Sequence, residues 1–85
     1  MTVRSVTKED CGRLEGKDIT PLYSALKKVC PGIEGDALWE KLRKQYNLGV
    51  AADCDDWVTR MNKAISVWNA HDPTDCASVR VAYGI

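Results

Sequence analysis

The only histidine of the chain lies in a short stretch whose residue types can bind metals or exchange protons. Residues 68–79 read WNAHDPTDCASV and contain His71, Asp72, Asp75 and Cys76. A zinc site needs four converging ligands, which are usually supplied in closely spaced pairs. Only His71 and Cys76 form such a pair here, so further ligands must come from distant segments. If zinc binds, we expect Cys54, His71 and Cys76 to hold it.

The same stretch is also explained as the start of a helix. Asp72 can accept hydrogen bonds from free amide groups, and Pro73 suits the first helical position. Asp75 would then face the positive end of the helix dipole. This interpretation explains more residues than a metal site does, so no obligatory metal or cofactor is expected.

Catalysis by a thiol is disfavoured at both candidate cysteines. Cys76 follows Asp75, and Cys54 lies in the run DCDD, so neighbouring carboxylates oppose the formation of a thiolate. No third residue is evident to orient His71, and no glycine-rich turn offers an oxyanion hole. We therefore expect that the protein is not an enzyme.

Length and composition indicate one soluble globular domain over residues 1–85. The chain is 45% hydrophobic and 28% charged, with twelve basic and twelve acidic residues. A net charge of zero provides no overall field to attract nucleic acid or an anionic membrane. No apolar run is long enough to span a bilayer, and no signal peptide or lipidation motif is visible. The cytoplasm is the expected location.

Four evenly spread cysteines allow either free thiols or two disulfides. Cys11, Cys30, Cys54 and Cys76 include no CxxC pair, and three disulfide pairings are possible. Because no export signal is visible, we expect reduced thiols that are mostly buried as small apolar side chains.

Apolar residues at helical spacing, with residues typical of helix caps, predict an all-α bundle of four to five short helices. The helices are expected near 21–30, 37–47 and 54–69, with a shorter one near 8–15. The predicted caps are Thr20 with Pro21 at the first helical position, Asp36, and Asp53, and Gly49 is expected to stop the second of these helices.

The tail of the chain is ambiguous between helix and strand. Asp72 and Pro73 can begin a final helix, whereas SVRVAYG at residues 78–84 shows the alternation of a strand. Residues 2–6, TVRSV, show the same alternation. A two-stranded ribbon that joins the termini is the alternative to a final helix.

Two segments together show an order of helices that also occurs in a known protein family. LWEKLRKQYNLG at residues 38–49 ends in Leu-Gly, and MNKAISVWNAHDPTDCASV at residues 61–79 passes from a helix ending in Trp to a new helix start. This order resembles the death-domain pattern over at most residues 20–83, and it implies a helical bundle. The interval from Leu48 to Trp68 is short for that family and a full sixth helix is missing, so we do not assign the chain to it.

The unequal distribution of charge favours a protein partner. Residues 19–52 carry five basic and three acidic groups, and residues 53–75 carry two basic and five acidic groups. Opposite surfaces could therefore meet complementary ones on a partner or on another copy. We expect a small regulatory interaction module (an adaptor, inhibitor or assembly factor) whose interface contains Trp39, Trp57, Tyr46, Lys41, Arg43, Lys44, Asp55 and Asp56. The alternative is a nucleic-acid-binding regulator that uses the basic face of residues 27–44, namely Lys27, Lys28, Lys41, Arg43 and Lys44.

Overall fold

The computed structural model describes residues 2–11 and 20–85, and within these residues the chain is helical without strands. The helices are α1 (Lys8–Cys11), α2 (Pro21–Val29), α3 (Ile33–Gln45), α4 (Cys54–His71) and α5 (Cys76–Tyr83), with a 3-10 turn at Leu48–Val50. The predicted all-α bundle is confirmed. Of the helix predicted near 8–15, the first four residues are helical and the remainder lies outside the described residues.

The core is formed by the apolar stripes of the helices. α4 packs against α1, α5 and the 3-10 turn, while α3 packs against α2, α5 and the same turn. Trp39 and Trp68 are the largest fully buried side chains. α3 and α5 lie side by side and run in the same direction. Cys30 bonds Cys76 near the first residues of both helices. At their other ends, Gln45 Nε2 donates to the Tyr83 carbonyl.

Two of the predicted caps are confirmed. The Thr20 side chain accepts a hydrogen bond from the Tyr23 amide at 3.1 Å, and Pro21 occupies the first helical position. The Asp53 side chain accepts from the Asp56 amide at 2.8 Å and begins α4. Both caps satisfy amide groups that have no partner inside the helix.

Two predictions about the ends of α3 were wrong. The helix begins at Ile33 after Gly32, which has a φ of 80°, so Asp36 lies inside the helix and does not cap it. Asp36 instead accepts from Tyr23 Oη at 2.7 Å. The left-handed residue after α3 is Asn47, with a φ of 53°, whereas Gly49 lies within the 3-10 turn. Asparagine tolerates this conformation better than most residues.

The tail is helical, so the strand and the ribbon alternatives were wrong. Asp75, not Asp72, caps α5, and its side chain accepts from the Ser78 amide while the Ser78 hydroxyl accepts from the Asp75 amide. Asp72 ends α4 in the left-handed conformation, with a φ of 45°. Local capping therefore overrides the β-branched alternation of the tail.

The cysteines are paired, so the expectation of reduced thiols was wrong. Cys11 bonds Cys54 with a Cα–Cα distance of 5.7 Å, and Cys30 bonds Cys76 with a Cα–Cα distance of 4.9 Å. The bonds join residues 43 and 46 positions apart, which only the folded bundle brings together. Spacing without CxxC pairs therefore carried no information about pairing.

No helix within residues 2–11 and 20–85 combines the length and the apolar character needed to cross a membrane.

Candidate interaction surfaces

The two tryptophans assigned to an interface lie in the core. Trp39 is 2% exposed and Trp57 is 7% exposed. The Trp39 ring packs edge-on against Tyr23, with ring centroids 5.4 Å apart. Neither indole offers a contact surface in the isolated chain. The rich aromatic content is explained by the core, which contains no phenylalanine.

A shallow cleft of about 380 Å³ lies where the end of α3 meets the middle of α4. Its lining residues are Gln45, Tyr46, Asn47, Arg60 and Lys63. The Tyr46 ring is half-buried and packs edge-on against Tyr83, with ring centroids 6.1 Å apart. Burial raises the pKa of the Tyr46 hydroxyl, so this side chain is neutral at physiological pH. The cleft thus combines an aromatic surface with two cationic side chains.

The two cations of the cleft are held differently. Arg60 Nε donates to Asp56 Oδ1 at 2.8 Å, and Arg60 Nη1 donates to the Asn47 carbonyl at 3.0 Å. This pairing lowers the pKa of the Asp56 carboxyl. Lys63 is exposed and has no ion-pair partner in the described part of the chain. Arg60 is therefore a fixed donor, whereas the Lys63 ammonium group is available to an anion.

The basic residues near the end of α3 extend this surface. Lys41 and Lys44 are exposed, and no described carboxylate lies within ion-pair distance of them. Lys41 lies on the same side of the helix as Gln45, four residues away, and Lys44 is a neighbour of Lys41, three residues away. Arg43 pairs with Glu40 at 3.4 Å. Lys41 and Lys44 therefore add unpaired positive charge near the end of α3, next to the residues that line the cleft.

The basic residues of α2 lie elsewhere. Lys27 Nζ donates to the Gly32 carbonyl at 2.7 Å and pairs with Asp36 at 3.2 Å. This contact is at the beginning of α3, roughly 8 Å along the helix axis from Lys41. Lys27 is therefore held at the beginning of α3, whereas Lys41 and Lys44 lie nearer its end.

The ligands named for a zinc site do not converge. Cys54 and His71 are the first and last residues of α4, which places their backbones about 25 Å apart. Cys54 and Cys76 are also bonded to other cysteines. One atom each from Cys30, Glu34 and Cys76 lies within 4.8 Å of the others, but these two sulfurs form a disulfide and are not thiolate ligands.

A second contact surface runs along α4 and was not predicted from the sequence. Asp55, Asn62 and Asn69 are seven residues apart, which places them in one row; we call them the polar stripe. Residues 2–7, which have no regular secondary structure and which we call the N-terminal arm, lie against this row. Polar residues at two-turn spacing on an amphipathic helix are the signal that could have revealed it.

Both asparagines bind the main chain of the arm. Asn69 Oδ1 accepts from the Val3 amide at 2.8 Å, and Asn69 Nδ2 donates to the Val3 carbonyl at 3.0 Å. Asn62 makes the same pair of bonds with Val6, at 2.8 and 3.1 Å. Asp55 pairs with Lys8 at 3.0 Å, just beyond the arm. The N-terminal segment therefore runs antiparallel to α4.

Comparison with known proteins gives no match to a protein-family model, a curated protein or a solved structure.

Proposed function

We propose that this protein is a small non-catalytic interaction module, stabilised by disulfides, that binds an acidic segment of a partner protein at the cleft between α3 and α4. The observation that carries the proposal is the combination of Tyr46, Arg60 and Lys63 in a cleft that no described carboxylate lines. An aromatic ring beside a fixed guanidinium group and an available ammonium group suits a peptide with a carboxylate next to an apolar side chain.

Several features favour binding over catalysis. Among the described residues, those that line the cleft include no thiol, imidazole or carboxyl group, and Tyr46 holds its proton more firmly than usual. A volume of about 380 Å³ accommodates one or two side chains. Lys41 and Lys44 lie beside the cleft and can accelerate association with an acidic partner.

The disulfides favour an oxidising compartment over the cytoplasm expected from the sequence. Disulfides persist in secreted, periplasmic or surface-exposed proteins and are rare in the reducing cytosol. The partner would then be met outside the cytosol.

Charge reversal provides the test. The full chain, its Lys44→Glu/Lys63→Glu variant and a Lys28→Glu/Lys41→Glu control would be applied to arrays of acidic, neutral and basic peptides. We expect the unmodified chain to prefer acidic peptides, with binding that weakens as salt rises. The cleft variant should lose at least about tenfold in affinity, and the control should lose less, because Lys63 lines the cleft whereas neither Lys28 nor Lys41 does.

Two results would contradict the proposal. One is equal binding by the cleft variant and the unmodified chain. The other is retention of labelled duplex or single-stranded DNA with no preference for acidic peptides, which would support the nucleic-acid alternative. In that case affinity should fall steeply with salt, because phosphate contacts release counterions.

A further inference from the structure

The hydrogen bonds between the arm and α4 all involve the main chain of the arm. The two asparagines use both atoms of each amide group, and they contact the N–H and the carbonyl of Val3 and of Val6. Main-chain hydrogen bonds of this kind give affinity without selecting side chains. A different segment with the same backbone shape could make the same four bonds.

The spacing of the asparagines matches an extended peptide. Seven residues of α-helix rise about 10.5 Å. Three residues of extended chain cover about 9 to 10 Å. Asn62 and Asn69 therefore meet every third residue of a chain that lies antiparallel to the helix.

Within the arm, only the side chains of Val3 and Val6 are buried, so only these two positions can determine which sequences bind. Val3 is 5% exposed and Val6 is 3% exposed, whereas Thr2, Arg4, Ser5 and Thr7 are exposed. Ile65 lies between the two asparagines along α4 and is 2% exposed. The surface thus requires small apolar side chains three residues apart and tolerates polar residues elsewhere.

Apart from these four bonds and the packing of Val3 and Val6 in the core, the arm has few attachments to the bundle. In the part of the chain that the structure describes, its only hydrogen bonds to α2, α3, α4 or α5 are these four. The covalent attachment lies beyond the arm, where Cys11 bonds Cys54. Residues 2–6 could therefore leave the surface while Cys11 stays in place.

We propose that Asn62 and Asn69 form a binding site for an extended segment of a partner protein with small apolar residues three apart, and that the chain's own arm fills this site until such a segment displaces it. This surface does not include the basic cleft, so the proposal is independent of the function proposed above. Because the arm competes at an effective concentration on the order of millimolar, displacement needs a partner that also binds elsewhere or is abundant.

The first test uses the full chain and a fluorescent synthetic peptide with the sequence of residues 2–7. The variant Val3→Asp/Val6→Asp should expel the arm, because burying two carboxylates is costly. We expect it to bind the peptide at least about tenfold more tightly than the unmodified chain does. Adding Asn62→Ala and Asn69→Ala should remove that gain, and a peptide with aspartate at both valine positions should not bind. Equal binding by the arm variant and the unmodified chain would overturn the proposal.

Amide hydrogen exchange on the unmodified chain tests the same idea without relying on a variant that has to fold. The Val3 and Val6 amides should exchange at least about a hundredfold faster than the Ile65 amide, because the arm opens without unfolding α4. If all three amides exchange at the same rate, the arm separates only when the whole domain unfolds. The site would then never be available, and the proposal would be wrong.

Discussion

The two disulfides span almost equal lengths of chain but lie in different surroundings. Cys30 is fully buried where α2 meets α3, and its partner Cys76, the first residue of α5, is half-buried. Cys11 and Cys54 are both only half-buried, and they join the end of α1 to the beginning of α4. The first bond joins α5 to a cysteine in the core, whereas the second joins the N-terminal segment to α4 through two half-buried cysteines.

Loop entropy alone does not distinguish these bonds. Separations of 43 and 46 residues correspond to about 4 kcal/mol of stabilisation each in the chain-entropy model. Any difference in their measured effects must therefore come from their surroundings. We infer that the Cys30–Cys76 bond stabilises the core, while the Cys11–Cys54 bond holds the base of an arm that can open.

The largest effect is expected from removing the Cys30–Cys76 bond, which includes a fully buried cysteine. Cys30→Ala/Cys76→Ala should lower the free energy of unfolding by about 4 kcal/mol or more, because core packing is lost together with the cross-link. Urea denaturation followed by circular dichroism measures this change. A loss smaller than that caused by removing the other disulfide would contradict the comparison.

The second-largest effect is expected at Gly35, which lies against the backbone of Cys30. A Cβ atom at this position would collide with the backbone carbonyl of Cys30. Gly35→Ala should cost about 2 to 3 kcal/mol, because a backbone atom cannot move aside as a flexible side chain can. The matched control is Gly49→Ala, where the added Cβ would lie 3.3 Å from Arg43 Nη2, the end of a flexible side chain. Equal urea midpoints for the two variants would show that α3 does not approach Cys30 this closely.

A smaller effect is expected from the outer bond. Cys11→Ala/Cys54→Ala should cost about 2 kcal/mol, less than the loop entropy predicts, because the arm and α1 can separate while α2 to α5 stay folded. The exchange of the Val3 and Val6 amides should accelerate in this variant, whereas that of the Ile65 amide should change less. Uniform acceleration of all three would instead show that this bond also stabilises the core.

The sequence predicted the elements of the core better than the attachments between them. Thr20, Pro21 and Asp53 identify helix starts because capping is a local interaction. The disulfide partners, the burial of Trp57 and the contacts of Asn62 and Asn69 depend on which faces meet in the bundle. The cleft was predicted only in part: Tyr46 was named, but Arg60 and Lys63 come from a helix whose charge appeared acidic in sequence.

The smallest expected effect is a loss of stability at acidic pH. Hydrogen bonds lower the pKa of three aspartates. The Arg4 side chain and the Thr7 amide act on Asp10, and the Arg60 side chain and the Ala52 amide act on Asp56. Ser78 acts on Asp75. Because these folded-state values lie below the unfolded value of about 3.9, their stabilisation is present above that pH and is lost as the pH falls below it. The urea midpoint should therefore stay level from about pH 7 to 5 and decrease toward pH 3.

Asp75→Asn is the matched control for acid, since asparagine caps a helix without a titrating carboxyl group. Its midpoint should decrease less between pH 5 and 3 than that of the unmodified chain. An equal or steeper decrease would exclude Asp75 from the acid response.

Disulfide mapping of the protein purified without reductant tests the central claim most directly. Intact mass after alkylation under denaturing conditions should show no labelled thiol until the protein is reduced and four afterwards. Mass spectrometry of proteolytic fragments should then join Cys11 to Cys54 and Cys30 to Cys76. Free thiols before reduction, or any other pairing of these four cysteines, would contradict the account in which one disulfide stabilises the core and the other attaches the N-terminal segment.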